Sequence, residues 1–201
     1  AVFAPRSVLV TGAGPIGLAA ILTAQLFTPG HIVAIDLDDG RLEAARRFGA
    51  DVTINNGTQD AVAAVRELTD GLGADVTIEA VGVPETFELA VELVRPGGHV
   101  ANVGGHGKPA TLHLEKIWIS DITVTTGLVD TFSTPQLLKL VASGRLDPTV
   151  FATHRFPLAD TMEAYDVFGD AARTGALKVV LEGAERTGGV SATAGAVGAA
   201  G

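Results

Sequence analysis

Three glycines near the start of the chain have the spacing of a phosphate-binding turn. Gly12, Gly14 and Gly17 form a G-x-G-x-x-G pattern directly after the apolar run Val8 to Val10. In such a turn the first glycine permits a sharp reversal, the second lets backbone N–H groups approach a phosphate, and the third lets a helix lie close to a sheet. The N–H groups at the start of that helix favour an anion. Alone, the pattern fits a plain strand-to-helix turn equally well.

An acidic residue follows the turn at an informative distance. The apolar run His31 to Ile35 ends at Asp36, which lies 19 positions after Gly17. Dinucleotide-binding proteins place an acid about 20 positions after the third glycine, where it accepts hydrogen bonds from the adenosine ribose hydroxyls. No Arg or Lys stands between Gly17 and Arg41. Because a carboxylate repels a 2′-phosphate, the sequence favours NAD over NADP.

Alternating strand and helix patterns surround these residues. Such alternation implies right-handed crossovers and a parallel sheet with helices on its faces. The sequence therefore predicts an α/β fold of Rossmann type, a doubly wound parallel sheet of about six strands in three layers. The predicted strands in this part are Val8–Val10, His31–Ile35, Asp51–Ile54, Asp75–Val81 and Val100–Val103.

The helices between these strands have recognisable ends. We expect Asp38 and Asp39 to cap the second helix and supply its first-turn acids. We expect Thr58 to cap the third helix, and Pro84 to open the fourth. The tripeptide Pro96-Gly97-Gly98 is predicted to end that fourth helix.

The regular alternation of strand and helix patterns ends at Leu112. The sequence predicts a strand at Ile122–Thr126, a helix from Thr134, and two later strands at Thr153–Phe156 and Leu177–Leu181. Residues 183–201 consist mostly of Gly, Ala, Ser and Thr without periodicity, so we expect a flexible tail after a nucleotide-binding domain spanning residues 1–182.

Composition narrows the class of protein. The 201 residues are 47% hydrophobic and 18% charged, which is typical of a globular chain. A formal net charge of −9 argues against a nucleic-acid surface. No apolar stretch approaches the roughly 20 residues of a membrane span, and no signal peptide is evident, so we expect a cytoplasmic protein without membrane contact. The sequence has no cysteine, which rules out disulfides and thiolate zinc sites within it.

Seven segments of the chain form a recognisable set. They are Val-Leu-Val-Thr-Gly-Ala-Gly-Pro-Ile-Gly-Leu, Ile-Asp-Leu-Asp-Asp-Gly-Arg-Leu-Glu-Ala-Ala-Arg-Arg-Phe-Gly-Ala, Asp-Val-Thr-Ile-Glu-Ala-Val-Gly, Arg-Pro-Gly-Gly-His-Val, Thr-Thr-Gly-Leu-Val, Thr-His-Arg-Phe and Gly-Ala-Leu-Lys-Val-Val-Leu. Together they resemble the medium-chain zinc-dependent alcohol dehydrogenases, and most of all their secondary-alcohol branch. The resemblance covers about residues 7–182.

The resemblance implies an NAD site and a role for individual residues. It places Asp36 at the ribose and Arg41 beside the adenine, although a solvated helix charge explains Arg41 equally well. The other implied positions are Gly12, Gly14, Pro15, Ile16 and Gly17 at the pyrophosphate, Ala80, Val81, Val103 and Gly104 along the cleft, and Thr126, Gly127 and Leu128 at the nicotinamide carboxamide. The cleft positions also follow from the rule that ligands lie outside the carboxyl ends of the strands.

One departure limits what the resemblance carries over. Family members have an N-terminal GroES-like domain with the zinc ligands, whereas this sequence begins a few residues before the first strand. We therefore expect no metal ligand and no catalytic residue in this chain, which would bind NAD but oxidise no alcohol alone. The family also implies a homodimer through the strand Ile122–Thr126. A non-catalytic NAD-binding or sensing module is the alternative. A methyltransferase is disfavoured because Val10-Thr11, not an acid, precedes the turn.

Two kinds of polar residue have no role in this scheme. The five histidines show no metal-ligand spacing, so we interpret them as surface or hydrogen-bonded core side chains. Glu79 lies inside a predicted central strand, where a buried carboxylate needs hydrogen-bond partners. The sequence does not identify those partners.

Overall fold

The structure, a computed structural model, describes residues 7–128 and 131–183. Its strands are β1 (Ser7–Thr11), β2 (His31–Asp36), β3 (Val52–Asn55), β4 (Ala74–Glu79), β5 (Val94–Asn102), β6 (Thr123–Thr126), β7 (Ala152–Pro157) and β8 (Lys178–Glu182). Its α-helices are α1 (Pro15–Ala24), α2 (Asp39–Arg47), α3 (Ala61–Leu68), α4 (Pro84–Leu93), α5 (Leu114–Ile117), α6 (Thr134–Ala142), α7 (Thr161–Gly169) and α8 (Ala171–Thr174).

Six strands form one parallel sheet in the order β3-β2-β1-β4-β5-β6. The chain builds outward from β1 to β3, then returns to lay β4 against the other side of β1. Connections from β1 and β4 therefore leave the sheet in opposite directions. In open α/β sheets such a reversal opens a crevice at the carboxyl ends of the strands.

Helices cover both faces of this sheet. On one face, α1 and α2 pack Leu18, Ile21 and Leu42 against β1 and β2. On the other face, α3 and α4 pack Val65 and Leu93 against the same strands and their neighbours. These layers confirm the predicted three-layer, doubly wound fold of Rossmann type. They also explain why β1 and β2 contain the uninterrupted buried apolar runs Val8–Val10 and Ile32–Ile35, since both faces of these strands are covered.

Two predicted helix ends are wrong. The cap of α3 is Asp60, whose Oδ1 accepts a hydrogen bond from the Ala63 N–H at 3.0 Å, while Thr58 lies in the preceding turn. Helix α4 ends at Leu93, before Pro96-Gly97-Gly98. Those three residues lie within β5, between its pairing of Val94 with Ala74 and of His99 with Val76, where the register shifts.

The later part of the chain forms a second, two-stranded parallel sheet from β7 and β8. It joins the main body through Phe151, whose ring centroid lies 4.9 Å from that of Phe48 on α2. Within the described residues, no helix is both long and apolar enough to cross a bilayer. The predicted tail lies outside the described residues from position 184 onward.

Candidate functional site

The glycine-rich turn connects β1 to α1 at the carboxyl edge of the sheet. Gly12 has φ +92°, a conformation that side chains disfavour. A Cβ atom on Gly17 would overlap the Gly12 carbonyl oxygen, so α1 can lie this close to the turn only with glycine there. A Cβ on Gly14 would meet no protein atom within 4 Å. Gly14 therefore faces open space, which a ligand can enter.

The first turn of α1 presents free donors to that space. Gly14 is the N-cap and has no side chain to accept a hydrogen bond, and Pro15 at the first helical position has no N–H. The first helical hydrogen bond is from the Leu18 N–H to the Gly14 carbonyl at 2.8 Å. The N–H groups of Ile16 and Gly17 precede it and have no partner within the helix. This arrangement suits a phosphate group.

The Asp36 side chain connects the end of β2 to the turn. Its Oδ2 accepts a hydrogen bond from the Ala13 N–H at 2.7 Å. Its Oδ1 accepts from the N–H groups of Leu37 and Asp38 at 2.7 and 3.0 Å. A carboxylate can accept about four hydrogen bonds, so one acceptor position stays available to a ligand hydroxyl.

A cavity of about 690 Å³ lies at the switch between β1, β2 and β4. It brings together four of the predicted site residues, Gly12, Asp36, Arg41 and Val81. Sequence reasoning missed Asn56 and Thr86, which also line it. Asn56 directly follows the last residue of β3, and Asp36 is the last residue of β2. The position of Asn56 just after the end of a predicted strand could therefore have identified it as a candidate.

Two of the residues predicted to contact the pyrophosphate, Gly14 and Pro15, line a neighbouring cavity of about 420 Å³. Gly14, Pro15 and Arg41 line it on one side, and Ala171 and Ala172 of α8 on the other. Arg41 and Ala172 border both cavities. Arg41 therefore lies between the 690 Å³ cavity and the turn. Its backbone N–H donates to the Asp38 Oδ1 at 2.8 Å.

The remaining predicted residues lie further along the same edge. Ala80 follows β4, and its N–H donates to the Thr11 carbonyl at 2.9 Å. Val103 and Gly104 follow β5, and Thr126 ends β6, followed by Gly127 and Leu128. None of these residues lines the cavity at Asp36 within the described structure. Val103 is 52% exposed and Leu128 94% exposed, so both present open apolar surface.

The described residues do not fit a zinc site. Within residues 7–128 and 131–183, no group of three or more His, Asp or Glu side chains could hold a metal ion. The sequence also has no cysteine. The polar groups at the carboxyl edge instead fit a dinucleotide: free helix N–H groups for phosphates and a fixed carboxylate for a ribose.

Comparisons with known proteins agree with this geometry. Residues 15–143 match the sequence model described as zinc-binding dehydrogenase. An alcohol dehydrogenase from Cupriavidus necator is 37% identical over 181 residues, which are 88% of this chain and 49% of that protein. The chain spans about half the length of the curated relatives it matches.

Two solved structures with a similar fold are also described as alcohol dehydrogenases. Zinc-dependent alcohol dehydrogenase 2 from Streptococcus pneumoniae, in its apo form, superposes with a TM-score of 0.85 at 47% identity, covering 89% of this chain and 52% of that one. A protein from Escherichia coli CFT073 described as a short chain alcohol dehydrogenase, complexed with the cofactor NADH, has a TM-score of 0.81 at 25% identity, covering 89% of this chain and 52% of that one.

Proposed function

We propose, from the premise that the chain belongs to the zinc-binding dehydrogenase family, that it is the NAD-binding domain of an alcohol dehydrogenase. In this proposal residues up to 182 form one domain that binds the dinucleotide and orients its nicotinamide for hydride transfer. The observation that carries it is the cavity at the strand reversal, with Asp36 on its wall and the free N–H groups of α1 beside it. The NADH complex of the Escherichia coli relative supports the choice of ligand.

Each part of NAD has matching groups on this chain. The N–H groups of Ile16 and Gly17 would donate to the pyrophosphate, which the bare Gly14 leaves room to approach. The free acceptor position of Asp36 would take a ribose hydroxyl, with Arg41 and Val81 against the adenine. Val103 and Gly104 would support the nicotinamide, and Thr126, Gly127 and Leu128 would hold its carboxamide.

The chain contributes binding and orientation in this reaction. When bound, NAD supplies the carbon that accepts or donates the hydride. We assign no catalytic residue and no metal ligand to this chain, and we propose that the groups binding the alcohol lie outside residues 1–201. On this proposal the purified chain binds NAD and oxidises no alcohol.

Asp36 would also give the site a preference for NAD over NADP. Its carboxylate already accepts from three N–H groups, so it cannot turn away to admit a 2′-phosphate without losing them. Asp38, which borders the same cavity, adds a second negative charge. We therefore propose that NADP is excluded by repulsion and by the cost of burying its phosphate beside a carboxylate.

Calorimetric titration tests this proposal. We expect the wild-type chain to bind NAD more tightly than NADP, and Asp36→Ala to bind NAD about ten- to a hundredfold more weakly, the loss expected for hydrogen bonds to a charged group. The preference for NAD should disappear in that variant. Glu43→Ala is the control, because it removes the same charge from an exposed position on α2 and should leave both affinities unchanged.

Three outcomes would contradict parts of this proposal. If the wild-type chain binds neither nucleotide, the cavity is not a dinucleotide site. If it binds NAD and the Asp36 variant retains the preference, another residue selects the cofactor. Alcohol oxidation by the purified chain would contradict the assignment of catalysis to other residues.

A further inference from the structure

Glu79 is a buried carboxylate for which the proposed dinucleotide site has no use. It is the last residue of β4 and is 0% exposed. Its Oε1 accepts hydrogen bonds from the Val81 N–H at 2.8 Å, the Gly82 N–H at 2.8 Å and the Thr86 hydroxyl at 2.7 Å. The side chain therefore holds the loop after β4, residues 80–83, and the first turn of α4.

The backbone of Glu79 holds a second loop. Its carbonyl accepts hydrogen bonds from the Val103 N–H at 2.8 Å and the Gly104 N–H at 3.1 Å. These residues begin the loop after β5, residues 103–107. One residue thus binds two loops, one through its side chain and the other through its carbonyl. Val81 and Val103, which project from the two loops, are 46% and 52% exposed.

The two loops also touch each other through glycines. Gly82 has φ +88°, and a Cβ atom there would overlap the carbonyl oxygen of Gly105. A Cβ atom on Gly104 would overlap the Gly82 nitrogen and the Glu79 Oε2. The loops therefore pack backbone against backbone with the carboxylate beneath them, and a small displacement of either loop moves the other.

His106 completes the contact from the loop after β5. Its Nε2 lies 2.9 Å from the Asn102 Oδ1 and 3.4 Å from the Glu79 Oε2. The Asn102 amide donates its own N–H to the Gly104 carbonyl at 3.1 Å, which directs Oδ1 toward the histidine. Because both neighbours of Nε2 are acceptors, Nε2 must carry a hydrogen. The Glu79 Oε2 is buried and accepts no hydrogen bond within the described structure, so the His106 Nε2 at 3.4 Å is a polar neighbour of an otherwise unpartnered oxygen.

The imidazole is also fixed by packing. Its ring stands edge-on to Phe87 of α4, with the centroids 6.0 Å apart, and its side chain is only 18% exposed. The positive edge of one aromatic ring against the face of another favours this arrangement. His106 is therefore held between α4 and the end of β5, with its N–H directed at the carboxyl edge of the sheet.

We propose that Glu79 and His106 are positioning residues for the nicotinamide half of the dinucleotide. They hold the loop after β5 against the loop after β4, in the position that forms the nicotinamide side of the cleft, and they act through Val103 without touching the ligand. This inference rests on the proposed function. The adenosine half is assigned to Asp36, Arg41 and Val81, in the cavity that neither Glu79 nor His106 lines.

Titration with NADH and with ADP-ribose, which lacks the nicotinamide, separates the two halves. We expect His106→Ala to bind NADH about tenfold more weakly, the upper end of what one hydrogen bond contributes. Its affinity for ADP-ribose should stay within about twofold of wild type. His106→Gln places an N–H near the position of Nε2 and should restore most of the NADH affinity. Glu79→Gln, which opposes an N–H to that of His106, should behave like His106→Ala.

The matched control is His113→Ala, since that histidine is 42% exposed and pairs with Glu115 outside the loops. Equal losses for NADH and ADP-ribose, no loss in His106→Ala, or no rescue by glutamine would overturn the inference while leaving the proposed function intact. A wild-type chain that binds neither ligand would instead contradict the proposed function and, with it, this inference.

A second measurement does not depend on the ligand. Amide hydrogen exchange in His106→Ala should quicken at residues 103–107 and stay unchanged in β1 and β2. Unchanged exchange in the loop would show that His106 does not hold it, and quicker exchange throughout the sheet would indicate general destabilisation instead.

Discussion

The carboxylate of Asp36 is held by backbone N–H groups from both sides of the β1–β2 edge. One of them, from Ala13, belongs to the glycine-rich turn. The two others belong to the loop that Asp36 itself begins. A residue expected to contact the ribose thus also sets the position of the turn expected to contact the phosphates. Such preorganisation lowers the entropic cost of binding because fewer groups must be ordered by the ligand.

Gly14 and Gly17 lie in the same turn, but substitution of Gly17 should lower stability, whereas substitution of Gly14 should weaken NAD binding. Gly17→Ala should lower the free energy of unfolding by about 3 kcal/mol or more, the upper end of overpacking costs, because its Cβ would overlap the Gly12 carbonyl. Gly14→Ala should leave stability within about 0.5 kcal/mol, because its Cβ meets no protein atom, yet it should weaken NAD binding. Urea unfolding and calorimetry measure the two effects. A stable Gly17 variant would show that α1 can move away from the sheet, and unchanged NAD binding by Gly14→Ala would place the pyrophosphate elsewhere.

Element boundaries show where sequence reasoning succeeded and failed. Strands β1 and β2 and the start of helix α2 were predicted nearly to the residue, because the apolar runs and the capping Asp38 agree there. Thr58 and Asp60 are both good caps, and only the direction of the chain after β3 selects Asp60. Pro96-Gly97-Gly98 has the composition of a helix end, but its role is to loop out between two paired segments of β5.

The candidate site was predictable to a similar extent. The spacing between the glycine-rich turn and Asp36 can be read directly from the sequence, and the structure places both at the carboxyl ends of the strands. Asn56, Thr86 and His106 reach that edge from separate elements. Their arrangement depends on strand order and on the packing of α4, which no local pattern contains. The donors to the Glu79 carboxylate lie only two to seven residues further along the chain, but no local pattern shows that the loop after β4 turns them toward the side chain.

At the amino ends of the strands, Asp75 near the start of β4 binds Ser7 at the start of β1 and Arg95 of β5. Burial opposes ionisation of this carboxyl group, but a hydrogen bond from Arg95 at 2.6 Å and others from Ser7 outweigh that effect. The pKa of Asp75 therefore lies below its usual value. A carboxyl group whose pKa is lower in the folded state stabilises the fold above its unfolded pKa of about 3.9. That stabilisation is lost as pH falls through the folded-state pKa.

Substitution of Asp75 should therefore have a pH-dependent effect. We expect Asp75→Asn to lower the unfolding temperature by roughly 2–6 °C at pH 7, with the difference from wild type narrowing as the pH falls below about 4. Thermal unfolding followed by circular dichroism at pH 7, 5 and 3 measures this. Glu43→Gln is the control, because its pairs with Arg46 and Arg47 are exposed and contribute little. A difference that stays constant with pH would contradict ionisation of Asp75 as its source.

For the whole molecule, the main sheet ends at an uncovered edge. Strand β6 pairs with β5 on one side, and no strand within the described residues pairs with its other side. Trp118 and Ile119, which precede β6, are 76% and 74% exposed. A bare edge next to large apolar side chains is a surface on which another chain can pair. We propose that two copies of the chain pair there through β6 as a homodimer.

A charge placed on that edge should separate the copies. Around a two-fold axis each substitution occurs twice on one interface, so Thr125→Lys, at an exposed position of β6, places two lysines close together. We expect light scattering to give a dimer for the wild-type chain at micromolar concentration and a monomer for this variant. Thr58→Lys adds the same charge in the exposed turn after β3, at the other end of the sheet, and should remain dimeric. A monomeric wild type, or a dimer that Thr125→Lys leaves intact, would exclude β6 as the interface, whereas loss of the dimer in both variants would indicate that net charge alone governs association.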